Sequence, residues 1–89
     1  MEKFVVFVRY CEDVIIKRKD FRIEHLKRLK ILKEKNVLIT LGPTNCTKYF
    51  FGIFNAKNEK DVREMLKKDI YWEKGIWISL EVYPWIQAL

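Results

Sequence analysis

The sequence predicts an α+β protein with a ferredoxin-like βαββαβ order, in which a four-stranded antiparallel sheet carries two helices on one face. Three observations lead to this fold class. The 89 residues, 1–89, fit a single domain, because chains divide only at two or three times this length. Four short segments are rich in β-branched and aromatic residues, and two charged segments carry apolar residues at helical spacing. Right-handed crossovers then fix the topology.

The first strand and the first helix follow directly from the pattern. Residues 4–10 read FVVFVRY, a β-rich run that stops at a charged pair. Residues 14–35 carry the three-to-four spacing of an amphipathic helix, which we expect to be broken near Lys19. Asp20 is expected to cap its main part, and Asn36 is expected to end it in a left-handed turn.

The rest of the chain is predicted to contain, in order, a second and a third strand, a second helix and a last strand. Residues 37–41 and 49–54 are separated by GPTNCT, a turn-forming connection, so they are expected to pair antiparallel. Asn58 precedes an acidic first turn and an apolar stripe, which predicts a capped helix. Residues 76–83 are expected to form the last strand, which Pro84 should end because proline cannot donate to a ladder.

Composition excludes several classes of protein. A net charge of +6, with 49% hydrophobic and 15% aromatic residues, is too apolar for a disordered chain. The longest apolar run, residues 4–8, is far shorter than the ~20 residues that a bilayer span needs, so no membrane segment is expected. Cys11 and Cys46 lack CxxC spacing and no secretory leader is recognisable, which favours the cytoplasm. One histidine and no HExxH motif give no reason to expect a metal.

Both faces of the sheet are predicted to be apolar. Two helices cover one face, and the other would expose more apolar surface than a monomer of this size normally does. A second copy in a two-fold homodimer, or single-stranded RNA stacked on the aromatic residues, would cover it. The third strand lacks the Gly-aromatic-Gly core of the RNA-recognition motif, so we favour the homodimer and consider a nucleic-acid partner unlikely. The first strand directs Phe4, Val6, Val8 and Tyr10 to one face and Val5 and Phe7 to the other, and the third strand directs Tyr49, Phe51 and Ile53 to one face and Phe50 and Phe54 to the other.

One face of the predicted first helix is polar and charged in its first half and apolar in its second half. Arg18, Arg22, His25, Leu29 and Leu32 fall on one line at ~100° per residue. Its second half is typical of a buried face, whereas its first half presents two guanidiniums and an imidazole. We interpret the first half as the rim of a cleft that meets an anionic group. The alternative is a structural histidine satisfied by a backbone carbonyl, with the arginines paired to nearby acids.

Asp69 follows the second helix and precedes three aromatic or apolar residues. It is either a helix-terminal aspartate in water or, if it lies beside the start of the first helix, the partner that orients His25 in an acid/base dyad. Sequence alone leaves both open.

In its order and spacing the chain resembles the YciI-like (YCII-related) family over essentially its whole length. The matching residues are Tyr10, Arg18, Arg22, His25, Leu26, Leu29, Gly42, Pro43, Phe51, Gly52, Asp69, Tyr71, Gly75, Val82, Pro84 and Trp85. The resemblance implies a ferredoxin-like dimeric α/β barrel, and we expect a cytoplasmic homodimer that uses no cofactor.

The resemblance also implies a site. It suggests that His25 and Asp69 sit together in a cleft as the catalytic pair. The same resemblance places the substrate-binding residues on the cleft wall: Arg18, Arg22, Gly42, Pro43 and Tyr71. The implied chemistry is isomerisation or elimination on a small anionic or ring-derived compound, and the alternative is a non-catalytic module that binds a small molecule. Ile70 stands where the family has proline, so the backbone at Asp69 is expected to be less rigid.

Overall fold

The computed structural model describes all 89 residues as four strands and four helices. The strands are β1 (Glu2–Tyr10), β2 (Leu38–Pro43), β3 (Tyr49–Ala56) and β4 (Trp77–Trp85). The helices are α1 (Val14–Lys17), α2 (Arg22–Glu34), α3 (Glu59–Lys67) and α4 (Ile70–Glu73), and a 3₁₀ turn (Arg18–Asp20) joins α1 to α2. None of the helices combines the length and the apolar character needed to cross a bilayer.

The strands form one antiparallel sheet in the order β2-β3-β1-β4. This order, with the helices packed on one face, confirms the predicted ferredoxin-like α+β fold. The core lies between that face and the helices, where burying each large apolar side chain stabilises the fold by roughly 1.5–3 kcal/mol. Its largest members from β1 and β3 are Phe4, Val6, Val8, Phe50 and Phe54, and α2 and α3 contribute Leu29, Val62 and Leu66.

The predicted break in the first helix is confirmed, but its cap is not. The chain passes from α1 through the 3₁₀ turn into α2, and Asn36 ends the helix with a φ of 61° as expected. The prediction that Asp20 caps the main part is wrong, because Phe21 occupies the N-cap position and no side chain bonds there. At α3, which is the predicted second helix, the Asn58 side chain accepts a hydrogen bond from the Asp61 N–H at 2.9 Å, as predicted.

Two further predictions at the end of the chain need correction. Pro84 does not end the last strand, which continues to Trp85 with Pro84 opposite Phe4. Proline is tolerated there because β4 is an edge strand, which need not donate a hydrogen bond on its outer side. The segment after Asp69 also forms a short helix, α4, that the pattern did not predict.

The sheet face opposite the helices, which we call the outer face, carries Val5, Phe7, Tyr49, Phe51, Ile53 and Tyr83. Phe7 is 42% exposed, and Tyr49, Phe51 and Tyr83 are similarly open. The rings of Phe7 and Phe51 meet edge to face with centroids 5.2 Å apart. A connected aromatic surface therefore remains uncovered in the single chain.

Candidate functional site

His25 and Asp69, which are 44 residues apart in sequence, meet beneath the first turn of α2. His25 Nδ1 lies 2.8 Å from Asp69 Oδ1. Asp69 is completely buried and His25 is only 5% exposed. His25 is therefore neither a rim residue nor bound to a backbone carbonyl, since a carboxylate holds it inside the protein.

Three donors from two helices, α2 and α4, converge on the Asp69 carboxylate. His25 Nδ1 and the Tyr71 backbone N–H reach Oδ1 at 2.8 and 2.9 Å, and Arg28 Nη1 donates to Oδ2 at 3.1 Å. Burial alone would raise the pKa of Asp69, but the hydrogen bond and charge of His25, the Tyr71 N–H and the Arg28 charge together lower it. Asp69 is therefore ionised over the neutral pH range.

The backbone around Asp69 keeps its carboxylate in position. Asp69 is the N-cap of α4 and has extended torsions, φ −72° and ψ 143°. A following proline would favour the same conformation, so Ile70 departs from the family pattern without altering this geometry. The cap bond to the Tyr71 N–H supplies a local restraint that needs no proline.

Arg28 is a site residue that sequence reasoning missed. It belongs to a run of basic residues that is typical of a solvated helix face, yet its guanidinium binds Asp69 Oδ2 and donates to the Met65 carbonyl at 2.6 Å. The signal that would have found it is its position three residues after His25, on the same side of α2. Arg28 ties α2 to the end of α3 and balances the Asp69 charge.

The hydrogen bonds assign the tautomer of His25. Because the ionised Asp69 can only accept, Nδ1 carries the proton and donates it. The opposite nitrogen, Nε2, has no protein partner, and it is not among the unpaired polar atoms that are sealed from the surface. An imidazole held in this way presents a free basic nitrogen, as a general base requires.

Two aromatic residues enclose the imidazole. The Tyr71 ring stacks on His25 with centroids 3.6 Å apart and planes 9° from parallel, and Trp77 meets His25 edge-on at 5.3 Å. Trp77 is a second residue that sequence reasoning missed, because a tryptophan that begins a strand is usually a core residue. The Tyr71 hydroxyl and the Trp77 indole N–H are both buried without a hydrogen-bond partner.

Arg18 and Arg22 lie near two phenols of this region. Burial, with a smaller effect of Tyr71, raises the pKa of Tyr10 to about 12, although Arg18 and Arg22 act to lower it. Burial likewise raises the pKa of Tyr71 against the two arginines, and Arg22 lies close to its hydroxyl without forming a hydrogen bond in good geometry. Neither arginine forms an ion pair with an acidic side chain, so the alternative in which nearby acids neutralise them is wrong.

Gly42 and Pro43 lie apart from this group. They end the edge strand β2, where they pair with Phe51 and Phe50, and they form no hydrogen bond with His25 or Asp69. Of the residues predicted for the site, the structure therefore brings His25, Asp69 and Tyr71 into contact, with both arginines nearby; it does not bring the Gly-Pro pair into that contact.

A concave surface near the start of α1 does not include the His25–Asp69 pair. This cavity, about 440 Å³ in volume, is lined by Tyr10, Cys11, Val14 and Cys46 among others, and not by His25. Cys46 is exposed, and a hydrogen bond with Thr44 is the main factor that lowers the pKa of its thiol. Tyr10 lines this cavity and also interacts electrostatically with Tyr71.

Known proteins resemble this chain in fold and in family. No protein with a curated description matches the sequence. Among solved structures, a 5-chloro-2-hydroxyhydroquinone dehydrochlorinase from Burkholderia phenoliruptrix, in complex with 2,5-dihydroxybenzoquinone, is similar in fold with a TM-score of 0.79. The alignment covers 97% of this chain and 95% of that one, at 20% sequence identity. The family model of the YCII-related domain matches residues 2–86. The chain therefore belongs to the YCII-related family.

Proposed function

We propose that this protein is a small-molecule enzyme of isomerase or lyase type, in which His25 and Asp69 act as an acid/base pair. One observation carries the proposal: a buried, ionised carboxylate binds Nδ1 of His25 and leaves Nε2 without a protein partner. A buried residue that served only packing would not need a second charged residue, Arg28, on the same carboxylate.

The chemistry follows from the tautomer. His25 Nε2 would accept a proton from a carbon next to a carbonyl group, and Asp69 would stabilise the imidazolium that forms. The imidazolium would return the proton to another atom in an isomerisation. In an elimination, a leaving group would depart with its electron pair. Arg18 and Arg22 would attract an anionic group of the substrate, since no acidic side chain neutralises them.

The structural neighbour supports this class of reaction without naming the substrate. Its activity is a dehydrochlorination, which is an elimination, and its structure holds a hydroxylated quinone. At 20% identity the likeness concerns the fold, so we carry over only the general class, a small oxygenated or ring-derived compound.

Two free cysteines support a cytoplasmic location for this chemistry.

The test of the reaction compares His25→Gln and Asp69→Asn with the native chain on a panel of hydroxylated quinones, chlorinated quinols and small keto acids. Loss of the general base should lower turnover about 10²- to 10⁴-fold. Lys30→Gln, on the exposed side of the same helix, is the matched control and should keep native turnover. Native turnover in His25→Gln would contradict the proposal.

We also propose that a second copy of the chain covers the outer face, giving a homodimeric α/β barrel. The exposed aromatic residues of that face support it, because they form one connected apolar surface. Phe7→Glu should dissociate the dimer in sedimentation experiments. Ile23→Glu is the control, since Ile23 is even more exposed but lies on α2, away from the outer face. A native chain that sediments as a monomer at all concentrations would exclude the dimer.

A second candidate function is a dimeric module that binds a small molecule without turning it over. The absence of His25 from the lining of the 440 Å³ cavity favours it. In that case a ligand would raise the melting temperature of the native chain and of His25→Gln equally, and no compound would be consumed. An enzyme would instead show turnover that depends on His25.

A further inference from the structure

Two buried polar groups beside the imidazole form no hydrogen bond in good geometry, although the Tyr10 hydroxyl and the Arg22 side chain lie near them. They are the Tyr71 hydroxyl and the Trp77 indole N–H, in side chains that are each 2% exposed. Native proteins pair nearly all such groups, so an unpaired one requires a specific reason. Here both unpaired groups are hydrogen-bond donors, and both belong to rings that touch His25. An acceptor from outside the chain would satisfy both.

A third hydrogen-bond donor, the Tyr10 hydroxyl, and two cationic side chains, Arg18 and Arg22, lie near these two groups. The Trp77 N–H lies beside the Tyr10 hydroxyl, and the Tyr10 and Tyr71 hydroxyls are close enough to influence one another. Arg18 and Arg22 act electrostatically on both phenols. Three donors and two positive charges therefore lie in the surroundings of His25, and the Asp69 carboxylate nearby is already bound by His25 and Arg28.

We infer that Tyr10, Tyr71 and Trp77 form an oxyanion hole that binds an enolate or phenolate oxygen of the substrate. This inference rests on the proposed function and specifies its substrate as a planar carbonyl or phenolic compound. When His25 Nε2 takes a proton from carbon, the C–H bonding pair moves into the ring or the neighbouring carbon bond, and the carbonyl π pair moves onto oxygen. Donors already in place would stabilise that oxygen most as its charge develops.

The cavity beside Tyr10 supplies room for the rest of such a molecule. Tyr10 lines it together with Val14, a buried apolar residue, and Ile15. A planar ring there would have its oxygen directed past the Tyr10 hydroxyl toward Trp77. The site would thus combine an apolar wall for the ring with polar donors for a single oxygen, which is the usual composition of a small-molecule pocket.

The inference is tested by binding of 4-nitrophenol to the full chain, followed by the visible absorbance of its phenolate. An oxyanion hole binds the ionised form, so the native chain should increase the phenolate fraction at a pH below the pKa of the free compound. Tyr71→Phe and Tyr10→Phe should each weaken binding about 10- to 100-fold, the loss expected for one hydrogen bond to a charged oxygen. Lys30→Gln, on the exposed side of α2 and away from the outer face, should bind as the native chain does.

A second ligand separates the hole from simple apolar binding. 4-Nitroanisole has the same ring but no ionisable oxygen, and it should bind at least 10-fold more weakly than the phenolate. Equal binding of the two ligands, unchanged binding by Tyr71→Phe, or no binding of the phenolate by the native chain would each overturn the inference.

The binding measurement also tests the oxyanion hole independently of the proposed enzyme activity. His25→Gln lacks the proton acceptor but keeps all three donors, so it should bind 4-nitrophenolate within a few-fold of the native chain while its turnover is lost. Phenolate binding that persists in a protein without turnover on any compound would support the hole and reject the enzyme. Turnover without phenolate binding would do the reverse.

Discussion

Replacement of Asp69 by asparagine should be among the most damaging single changes in this protein. The native carboxylate accepts from His25, Tyr71 and Arg28. An asparagine has one carbonyl oxygen, which can keep the first two donors, but its NH₂ group would then face the Arg28 guanidinium, donor against donor. Asp69→Asn therefore removes one ion pair and weakens a second charged hydrogen bond.

The magnitude follows from these contacts. A hydrogen bond to a charged group contributes about 1.5–3 kcal/mol, and the lower end applies to Arg28 because its side chain is 27% exposed. Adding about 1 kcal/mol for the weakened His25 bond gives a loss of about 2.5 kcal/mol. Total stability of a chain of 89 residues is about 4–13 kcal/mol, so this is a large share of it. Urea unfolding at pH 7, followed by tryptophan fluorescence, measures the loss.

The pH dependence gives an independent check of the same carboxylate. The pKa of Asp69 is lower in the folded protein than the unfolded value of about 3.9. Its stabilising contribution is therefore fully present above that value and is lost as the pH falls through the lower, folded pKa. The contribution of the Asp69 charge to the difference in unfolding free energy between the native chain and Asp69→Asn should shrink below about pH 4.

Asp61→Asn serves as the control, because Asp61 is an exposed carboxylate whose side chain makes no hydrogen bond. It should change stability far less than Asp69→Asn at neutral pH. The reasoning fails if Asp69→Asn costs less than about 1 kcal/mol at pH 7, or if its deficit is undiminished at the lowest pH at which the protein still folds.

Three further predictions concern the surroundings of the site. Gly52→Ala should lower the free energy of unfolding in urea by about 1–3 kcal/mol, because the new Cβ would lie 3.0 Å from the Phe54 ring. Gly42→Ala is the control, because its Cβ would have no atom within 4 Å, and it should cost under about 0.5 kcal/mol. Tyr71→Phe removes an unpaired buried hydroxyl, so its thermal stability should equal or exceed that of the native chain, and a clear loss would mean that the hydroxyl is paired. Arg28→Lys should lower stability by about 1 kcal/mol in thermal unfolding, since an ammonium group cannot hold both partners of the guanidinium; native stability would mean that one partner suffices.

The strands and the Asn58 cap were predictable because their signals are local. Alternation in β1 and β3 predicted which residues of each strand share a face, since side chains in a strand alternate between faces, but it did not predict which face the helices cover. Asn58 could be recognised as a cap from its own side chain and the acidic turn after it. The bounds of the strands still differ from prediction by one or two residues, because strand ends depend on pairing with other segments.

The errors arise where a residue's role depends on a distant partner. Pro84 is compatible with a strand only because β4 lies at an edge of the sheet, and the strand order is not written in the local pattern. Arg28 looked like one of many exposed cations because its partner, Asp69, lies 41 residues away. The four residues of α4 are too few to show a helical period, so the helix was missed.

The short helix α4 explains why so much of the candidate site depends on one stretch of chain. A helix of four residues is far too short to be stable alone, so its position is set by its cap and its packing. Asp69 provides the cap, and Tyr71, two residues later, provides the packing against His25. The carboxylate that orients the imidazole, the ring that stacks on it and one proposed oxyanion donor are therefore fixed together. Binding and proton transfer should consequently fail together in Asp69→Asn but separately in Tyr71→Phe and His25→Gln, because only Asp69 supports both the helix and the base.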